Sequence, residues 1–437
     1  MFNKKLKLKK STLIIALAGV LGAQSAQAAN WLMLQGTEKA DQAPRAKLWG
    51  FAQIDYQQTD DTKIQAGPNI GKSAAFNQLP PQLSTSSGFN VKRARIGVRG
   101  ANFPLDKNVN YFLMMEFGNN GITTGENGSQ GQLTDASITL NHIKGARVRV
   151  GLFKNPGSEE SFKGIPVFNY VNFTSGTDRL LIERKLADST VTNGVGTGVR
   201  TDAVFAGRDT GIQIFDTFKS GDWENSYAIK YGNGNGLALN DDNKSKDLYL
   251  YLSTEKVFNN SQGPRRHSLK MYAWSDQGKR TYNNTDYDRN RAGVGMTYFD
   301  GKYRAAAEYI TADGMIFGGP VGAVAGNPLT VFTDQKADAY QLDLGYRVMP
   351  NLELNARYDV LDSATAKDSQ SGTGKDKHRV FTTTTLGAQY FFNKKTSARL
   401  NYEIRNIDAP DVPSSAPVQT ILNGIDNRIS AQLMMVF

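Results

Sequence analysis

The chain has 437 residues, a formal net charge of +10, no cysteine and only three histidines. Without cysteine a disulfide framework and thiolate metal sites are excluded. The three histidines are far apart in the sequence, which argues against a zinc site or a catalytic triad. We therefore predict no metal site and no cofactor. Five of the ten net positive charges lie within the first ten residues, and the excess that remains is too small to indicate nucleic-acid binding.

The first residues have the pattern of a secretory signal peptide. Five lysines between Lys4 and Lys10 precede an apolar run over 12–21, and the small residues of a cleavage site follow at 26–28. The apolar run is shorter than the ~20 residues that a membrane-spanning helix needs. We therefore predict a cleaved signal peptide over residues 1–28, export from the cytoplasm, and a short polar periplasmic lead-in over 29–46.

From residue 47 onward, short segments alternate between apolar and polar side chains. The clearest one, 352–360, reads Leu-Glu-Leu-Asn-Ala-Arg-Tyr-Asp-Val. Successive side chains of a strand point to opposite faces, so this segment has one apolar and one charged face. Similar segments recur at 48–56, 89–100, 111–117, 135–140, 147–152, 212–214, 223–231, 248–252, 269–274, 292–299, 303–309, 340–346, 386–392, 398–404 and 429–437. They predict about sixteen strands, an even number typical of bacterial outer-membrane barrels.

The connections between these segments alternate in length. Short ones, such as 143–145 and 300–301, alternate with long ones, such as 57–88 and 155–207. Outer-membrane barrels have short periplasmic turns and long external loops, whereas a soluble sandwich has no reason to keep this asymmetry. The predicted fold class is therefore all-β: a transmembrane antiparallel β-barrel of about sixteen strands over residues 47–437. Such a barrel would lie in the outer membrane of a Gram-negative cell, in contact with its lipid.

Two of the predicted strands carry arginines on the face opposite their apolar residues. In 89–100 the side chains alternate with a period of two residues. The apolar side chains therefore face lipid, and the arginines face a water-filled lumen. These arginines are Arg93, Arg95 and Arg99. The later strand adds Arg147 and Arg149. Guanidinium groups match phosphate-like oxyanions well, so all five are candidates for an anion path; the alternative is a network of salt bridges that stiffens the wall.

The third long connection, 155–207, is much longer than the ~15 residues usual for unstructured connections. It contains an apolar and aromatic stretch over 165–173. Charged residues flank that stretch, and we select Glu159, Glu160, Glu183, Arg184 and Lys185. Apolar residues in an external loop need a place to bury, which the barrel interior provides. We predict that the loop folds into the lumen and forms a constriction; the alternatives are an exposed loop and a contact between subunits.

Several motifs resemble those of the phosphate-selective porin O and P family. They are Val-Lys-Arg-Ala-Arg-Ile-Gly-Val-Arg-Gly at 91–100, Val-Arg-Val-Gly-Leu-Phe-Lys at 148–154, Glu-Arg at 183–184 and Gly-Arg-Asp-Thr-Gly at 207–211. The resemblance runs from about residue 47 to residue 437 and is strongest up to residue 214. It implies a trimeric porin of sixteen strands whose lumen arginines guide anions, with Arg93, Arg95 and Arg99 as the residues carried over.

Together, the residues and the resemblance predict a water-filled channel for phosphate or similar small anionic solutes, working as a homotrimer and not as an enzyme. The alternative is a general diffusion porin, in which lumen arginines face acidic residues of the inward loop, such as Glu159 and Glu160. An outer-membrane enzyme would need a nucleophile and a base within hydrogen-bond reach, and no such motif is recognisable. A structural or adhesin-like barrel would not need the arginine strand or the long third loop.

Overall fold

The computed structural model describes most of the chain after residue 29. The described residues are 30–41, 43–59, 63, 70–71, 87–120, 131–192, 195–204, 207–241, 243–261, 263, 265–282, 284–318, 329–365, 377–423 and 427–437. Of residues 184–190, 192, 195–204, 329, 417 and 421 only the backbone is described. The predicted signal peptide over 1–28 lies outside the described residues.

Sixteen antiparallel strands close into a single barrel, which confirms the predicted fold class. They are β1 (Lys47–Thr59), β2 (Ser87–Ala101), β3 (Val109–Glu116), β4 (Gln132–Leu140), β5 (Arg147–Lys154), β8 (Arg208–Ser220), β9 (Trp223–Gly232), β10 (Asp247–Val257), β11 (Ser268–Tyr282), β12 (Thr285–Phe299), β13 (Tyr303–Asp313), β16 (Lys336–Met349), β17 (Leu352–Ser363), β18 (Arg379–Phe391), β19 (Thr396–Asp408) and β20 (Arg428–Val436). The first and last strands pair with each other, with Phe51 opposite Val436. This pairing leaves the barrel without an open edge, as a membrane-spanning sheet requires.

Most short and long connections lie at opposite ends of the barrel, because antiparallel neighbours turn alternately at its two ends. The exception joins β11 and β12, which pair as far as Tyr282 and Thr285 at the end where the long connections lie. Short connections run over 102–108, 141–146 and 221–222, and long ones over 155–207 and 314–335. We call the two ends the short-turn end and the long-loop end. The strand β1 begins at the short-turn end, since its first residue pairs with Arg99.

Side chains alternate between a buried polar face and an exposed apolar face. On β1, Gln53 and Asp55 are each 1% exposed, whereas Leu48 and Ile54 are 61% and 47% exposed. In a closed barrel these faces are the interior and the outer surface. The interior is thus polar and the outside apolar, the pattern of a barrel that crosses a membrane.

A β-bulge in β2 changes the predicted alternation near the arginines. Gln53 pairs with Arg93 but Ile54 pairs with Val91, so Lys92 is an extra residue. As a result Lys92 and Arg93 are both buried. Strict alternation would have turned the Lys92 ammonium to the apolar outer face, where a charge is costly. That cost was the signal in the sequence that could have revealed the bulge.

Four further strands form a separate sheet from two of the long connections. They are β6 (Arg184–Thr192), β7 (Val195–Val204), β14 (Ile316–Phe317) and β15 (Leu329–Phe332), in the order β14-β15-β7-β6. The strands β6 and β7 form a hairpin, and β7 pairs with β15 from the later connection. The sequence analysis treated both regions as loops, so it missed this sheet.

Helical segments are short. They are α1 (Glu159–Phe162), a 3₁₀ turn at Ile165–Val167, a π-helical turn at Thr177–Leu181, a 3₁₀ turn at Phe258–Asn260 and α2 (Pro417–Leu422). Within the described residues, no helix is long and apolar enough to cross a membrane. Three of these segments lie in the third long connection, between β5 and β6, where the candidate site is found.

Candidate pore constriction

Residues 158–183 of the third long connection, here called the inner segment, bond to the buried face of the barrel. Tyr170 Oη donates to Asp343 Oδ1 at 2.6 Å, and the Ser175 backbone N–H donates to Asp359 Oδ1 at 2.9 Å. Both acceptors lie on the buried face, on the neighbouring strands β16 and β17. The inner segment is therefore held by the polar wall and not by other loops alone.

The contacts of the inner segment continue around the wall. Its partners are Gln57 on β1, Lys92 on β2, Lys154 on β5, Lys270 on β11, Arg289 on β12, Glu308 on β13, Asp343 on β16, Asp359 on β17, Gln389 on β18, Asn401 on β19 and Ser430 on β20. Hydrogen bonds to so many strands fix the segment in one arrangement, because releasing it would leave many buried polar groups unpaired.

The two acidic residues of α1 are neutralised by cations of the wall. Glu159 forms an ion pair with Lys270, and Glu160 forms one with Arg357 at 3.1 Å. Glu160 also accepts hydrogen bonds from the backbone and hydroxyl of Thr174, at 3.1 and 2.7 Å. These carboxylates therefore anchor the inner segment to β11 and β17.

The end of the inner segment is anchored in the same way. Glu183 forms ion pairs with Arg280 at 2.9 Å and with Arg289 at 2.5 Å. It is 3% exposed, so the pairs are removed from water. Of the other two predicted constriction residues, Arg184 and Lys185, only the backbone is described, as the start of β6; their side chains lie outside the described residues.

Three of the five predicted anion-path arginines have a carboxylate partner. The pairs are Arg95–Glu116 at 2.6 Å, Arg99–Glu38 at 3.4 Å and Arg147–Asp216 at 3.3 Å. Arg95 is buried in mid-strand, whereas Arg99 lies about 13 Å further along β2, toward the short-turn end. Each partner cancels charge locally, so these three arginines add less net charge to the interior than the sequence predicts.

The other two predicted arginines, Arg93 and Arg149, have neutral hydrogen-bond partners among the described residues. Arg93 Nη1 donates to Gln53 Oε1 at 2.8 Å, and its Nε is buried without a partner. Arg149 Nε donates to Thr139 Oγ1 at 3.2 Å, and its Nη2 donates to backbone carbonyls within 32–35. Both guanidinium groups are buried. They therefore carry positive charge on the buried face that no carboxylate among the described residues pairs with directly.

Two more cations of this region were missed by the sequence analysis. Lys154 Nζ donates to the backbone carbonyls of 161–163 at 2.7–3.3 Å. Arg208 Nε donates to Asp135 Oδ2 at 3.0 Å. Lys154 pairs with Arg208 across β5 and β8, beside the start and end of the third long connection. Both residues lie in motifs that carry the family resemblance, and that was the signal available in the sequence.

Arg93, Arg95, Lys154 and Arg208 form one group, here called the four-cation cluster. The charges of the three arginines all act on Lys154. The carboxylates in contact with the cluster are Glu116, bound to Arg95, and Asp135, bound to Arg208. The three arginines alone outnumber these two carboxylates, so the cluster is positive at neutral pH.

Two cations outside the strands, Lys163 and Arg265, line a chamber of about 770 Å³ of empty space, part of it open to solvent. Burial lowers the pKa of Lys163, while the nearby carboxylates of Glu159 and Asp343 act in the opposite direction. Burial also lowers the pKa of Arg265 to about 10, and its Nη1 donates to Asn169 Oδ1 at 3.1 Å. Arg265 therefore remains positive near neutral pH.

Metal binding has no support in the described residues. No group of three or more His, Asp or Glu side chains comes together there in a way that could hold a metal ion. The acidic side chains of the interior have cations, hydroxyls or backbone N–H groups as partners instead.

The closed barrel, with its polar interior and apolar outer surface, defines an outer-membrane β-barrel protein. The sequence profile of the family described as phosphate-selective porin O and P matches residues 64–411, well over half of the chain. The chain belongs to the phosphate-selective porin O and P family. It is therefore an outer-membrane porin, which points to a channel rather than an enzyme. A comparison with curated protein sequences found no significant match.

Solved structures with the same fold are also porins or outer-membrane channels. The outer-membrane channel DcaP of Acinetobacter baumannii aligns with a TM-score of 0.53 and 14% identity, over 92% of this chain and 100% of that one. The anion-selective porin from Comamonas acidovorans gives 0.53 and 14%, over 90% and 99%. Salmonella typhi OmpF, in complex with daunomycin, gives 0.53 and 15%, over 90% and 97%. At these identities the similarity establishes the fold.

Proposed function

We propose that this porin conducts small anions in preference to cations, with phosphate or a similar oxyanion as its preferred solute. The observation that supports the proposal is the four-cation cluster, where positive charge exceeds negative charge on the buried face. Arg93 and Arg95 are inward neighbours, ~7 Å apart along β2. This spacing is below the Debye length of ~8 Å at physiological salt, so a permeating anion interacts with both charges at once.

The cluster attracts an anion without trapping it. A single charge contact at ~4 Å is worth at most ~4 kcal/mol at an effective dielectric constant of 20. Part of this energy offsets the hydration that an ion loses in a narrow pore. Glu116 and Asp135 reduce it further, since each is bound to a cation of the cluster. The remaining attraction favours entry of an anion and permits its release.

The proposal includes a constriction formed by the inner segment within the lumen. Its support is the ring of hydrogen bonds and ion pairs from residues 158–183 to the buried face. Lys154 joins the two parts of the proposed site, because it belongs to the four-cation cluster and donates to the carbonyls of 161–163. An anion that passes the constriction would therefore pass the cluster.

The selectivity is tested with the variant Arg93→Gln/Lys154→Gln, studied by reversal potentials across planar bilayers in a salt gradient. Arg93→Gln removes a guanidinium charge and Lys154→Gln removes the neighbouring amino group; neither residue has an ion-pair partner among the described residues, so no buried carboxylate loses its cation. Loss of ~1 kcal/mol of net attraction lowers the anion-to-cation permeability ratio roughly fivefold. Phosphate should also block chloride current less strongly in the variant.

Arg147→Gln is the matched control for that measurement. It also removes one buried-face arginine, but its partner Asp216 is at the short-turn end, away from the cluster. Reversal potentials equal to wild type in the double variant would refute the role of the cluster. A wild-type channel with no anion preference and no phosphate block would be a general diffusion porin.

We further propose that the protein works as a homotrimer in the outer membrane after loss of residues 1–28. The apolar outer surface supports contact with lipid and with neighbouring subunits, since large apolar side chains such as Leu252, Val294 and Leu386 are more than half exposed on it. Cross-linking in isolated outer membranes should give a trimer that dissociates on heating. A protein recovered only as a monomer would contradict this assembly.

A further inference from the structure

Residues 30–38, which precede β1, lie against the buried face of the barrel. Asn30 Nδ2 donates to Thr217 Oγ1 at 3.3 Å and to Ser226 Oγ at 2.5 Å, on β8 and β9. At the other end of the segment, Asn110 Nδ2 of β3 donates to the carbonyl of Glu38 at 2.9 Å. The sequence analysis predicts a periplasmic lead-in here, but these partners belong to the interior.

The segment is also packed into the interior by apolar contact. Leu32 is fully buried and belongs to the same cluster as Phe215 of β8. At Gly36, with φ of +75°, a Cβ atom would lie 2.9 Å from the Cβ of Thr139 on β4. Only glycine permits this approach, so the backbone of the segment is fitted closely to the wall.

Two of the five predicted anion-path arginines bind this segment. Arg149 Nη2 donates to the carbonyl of Leu32 at 3.4 Å and to that of Gln35. Arg99 forms its ion pair with Glu38 at 3.4 Å. Both guanidinium groups are therefore directed at the segment, and the charge of Arg99 is partly cancelled by it.

The segment also touches the inner segment of the third connection. Trp31 Nε1 donates to Glu159 Oε1 at 2.8 Å. Because Glu159 is in turn paired with Lys270 of β11, the contact chain runs from the N-terminal residues through the inner segment to the wall. The two insertions support each other across the interior.

We propose that residues 30–38 form an N-terminal plug, which narrows the short-turn end of the channel and masks the charges of Arg149 and Arg99. The plug is a second constriction in series with the inner segment. Its Glu38 places a negative charge beside the anion path, so the plug lowers the anion preference of this end. The narrowing of the channel by the plug does not require that the channel prefers anions. The effect of the plug on selectivity rests on the proposed anion function.

The test is a deletion of residues 30–38 from the full chain, studied by single-channel recording. Residues 42–46 are kept because the Pro44 carbonyl accepts a hydrogen bond from Ala101 of β2 at 3.2 Å. Widening one of two constrictions in series should raise the conductance roughly twofold. A deletion variant that folds, as judged by heat-modifiable migration on gels, and keeps wild-type conductance would overturn the plug.

Leu32→Lys covers the case in which the deletion does not fold. It leaves every wall strand intact and expels the segment, because a buried ammonium beside Phe215 would lie next to the Arg149 guanidinium, which is 4.5 Å from the centre of that ring. The same rise in conductance is expected, and an unchanged conductance would again refute the plug. A rise in conductance supports the plug whichever ion the channel prefers, so failure of the anion function would be seen separately.

Glu38→Gln isolates the charge effect, with Asp41→Asn as its matched control. Glu38→Gln removes one negative charge while the plug stays in place, so the anion-to-cation permeability ratio should rise with little change in conductance. Asp41→Asn removes a charge of the same sign from an exposed residue just outside the plug and should leave the ratio unchanged. Equal ratios in Glu38→Gln and wild type would refute the masking of Arg99.

Discussion

Replacing residues 157–205 by a two-residue turn should raise the single-channel conductance about twofold, because it removes the whole of the proposed inner constriction. The barrel can accept this excision. The Asn155 N–H donates to the Gly207 carbonyl at 2.9 Å, and Lys154 pairs with Arg208, so the two cut ends are already neighbours. Planar-bilayer recording of the refolded protein measures the effect, and anion selectivity should fall as the constriction widens.

The matched control removes only the outer hairpin of the same connection. Since Arg184 pairs with Val204 at its base, residues 187–201 can be replaced by a turn without disturbing the inner segment. Conductance in this variant should stay at the wild-type value. If the larger excision folds and also keeps wild-type conductance, the inner segment does not limit the flow of ions.

Glu116→Ala should cause the largest loss of stability, about 3–5 kcal/mol, because it breaks a buried ion pair from one side. The fully buried Glu116 carboxylate accepts hydrogen bonds from Arg95 Nε at 2.6 Å and from the backbone N–H groups of Ala94 and Gly118 at 2.7 and 2.8 Å. All three donors lose their acceptor in the variant. Urea unfolding in lipid vesicles, followed by gel mobility, measures the change in free energy of unfolding.

Glu116→Ala should also raise the preference of the channel for anions, although it lowers the stability of the protein. Without Glu116 the four-cation cluster keeps a single carboxylate, Asp135, so the anion-to-cation permeability ratio should rise. Asp288→Ala is the control, because its pair with Lys279 is largely exposed and such pairs contribute little. A loss of stability as small as that of the control would show that water in the lumen solvates Arg95 well enough to replace its partner.

The barrel and the two faces of its strands could be predicted from the amino-acid sequence. All sixteen barrel strands correspond to segments of alternating apolar and polar residues, including 352–360, the clearest of them. The physical reason is that a closed membrane barrel has water on one side and lipid on the other, so each strand must repeat with a period of two. Residues such as Arg93, Arg149 and Asp359 were placed on the buried face by this rule alone.

The pairing of these polar residues, and the segments that contact the buried face, could not be predicted from the sequence and are seen in the three-dimensional structure. The bulge at Lys92 depends on pairing with β1, and the strand β7 depends on β15, more than a hundred residues away in the sequence. Arg95 has a carboxylate partner and Arg93 has none among the described residues, although their local sequences are alike. Such differences arise where the inner segment and residues 30–38 contact the buried face of the barrel. A periodic pattern within one strand contains no information about these distant partners.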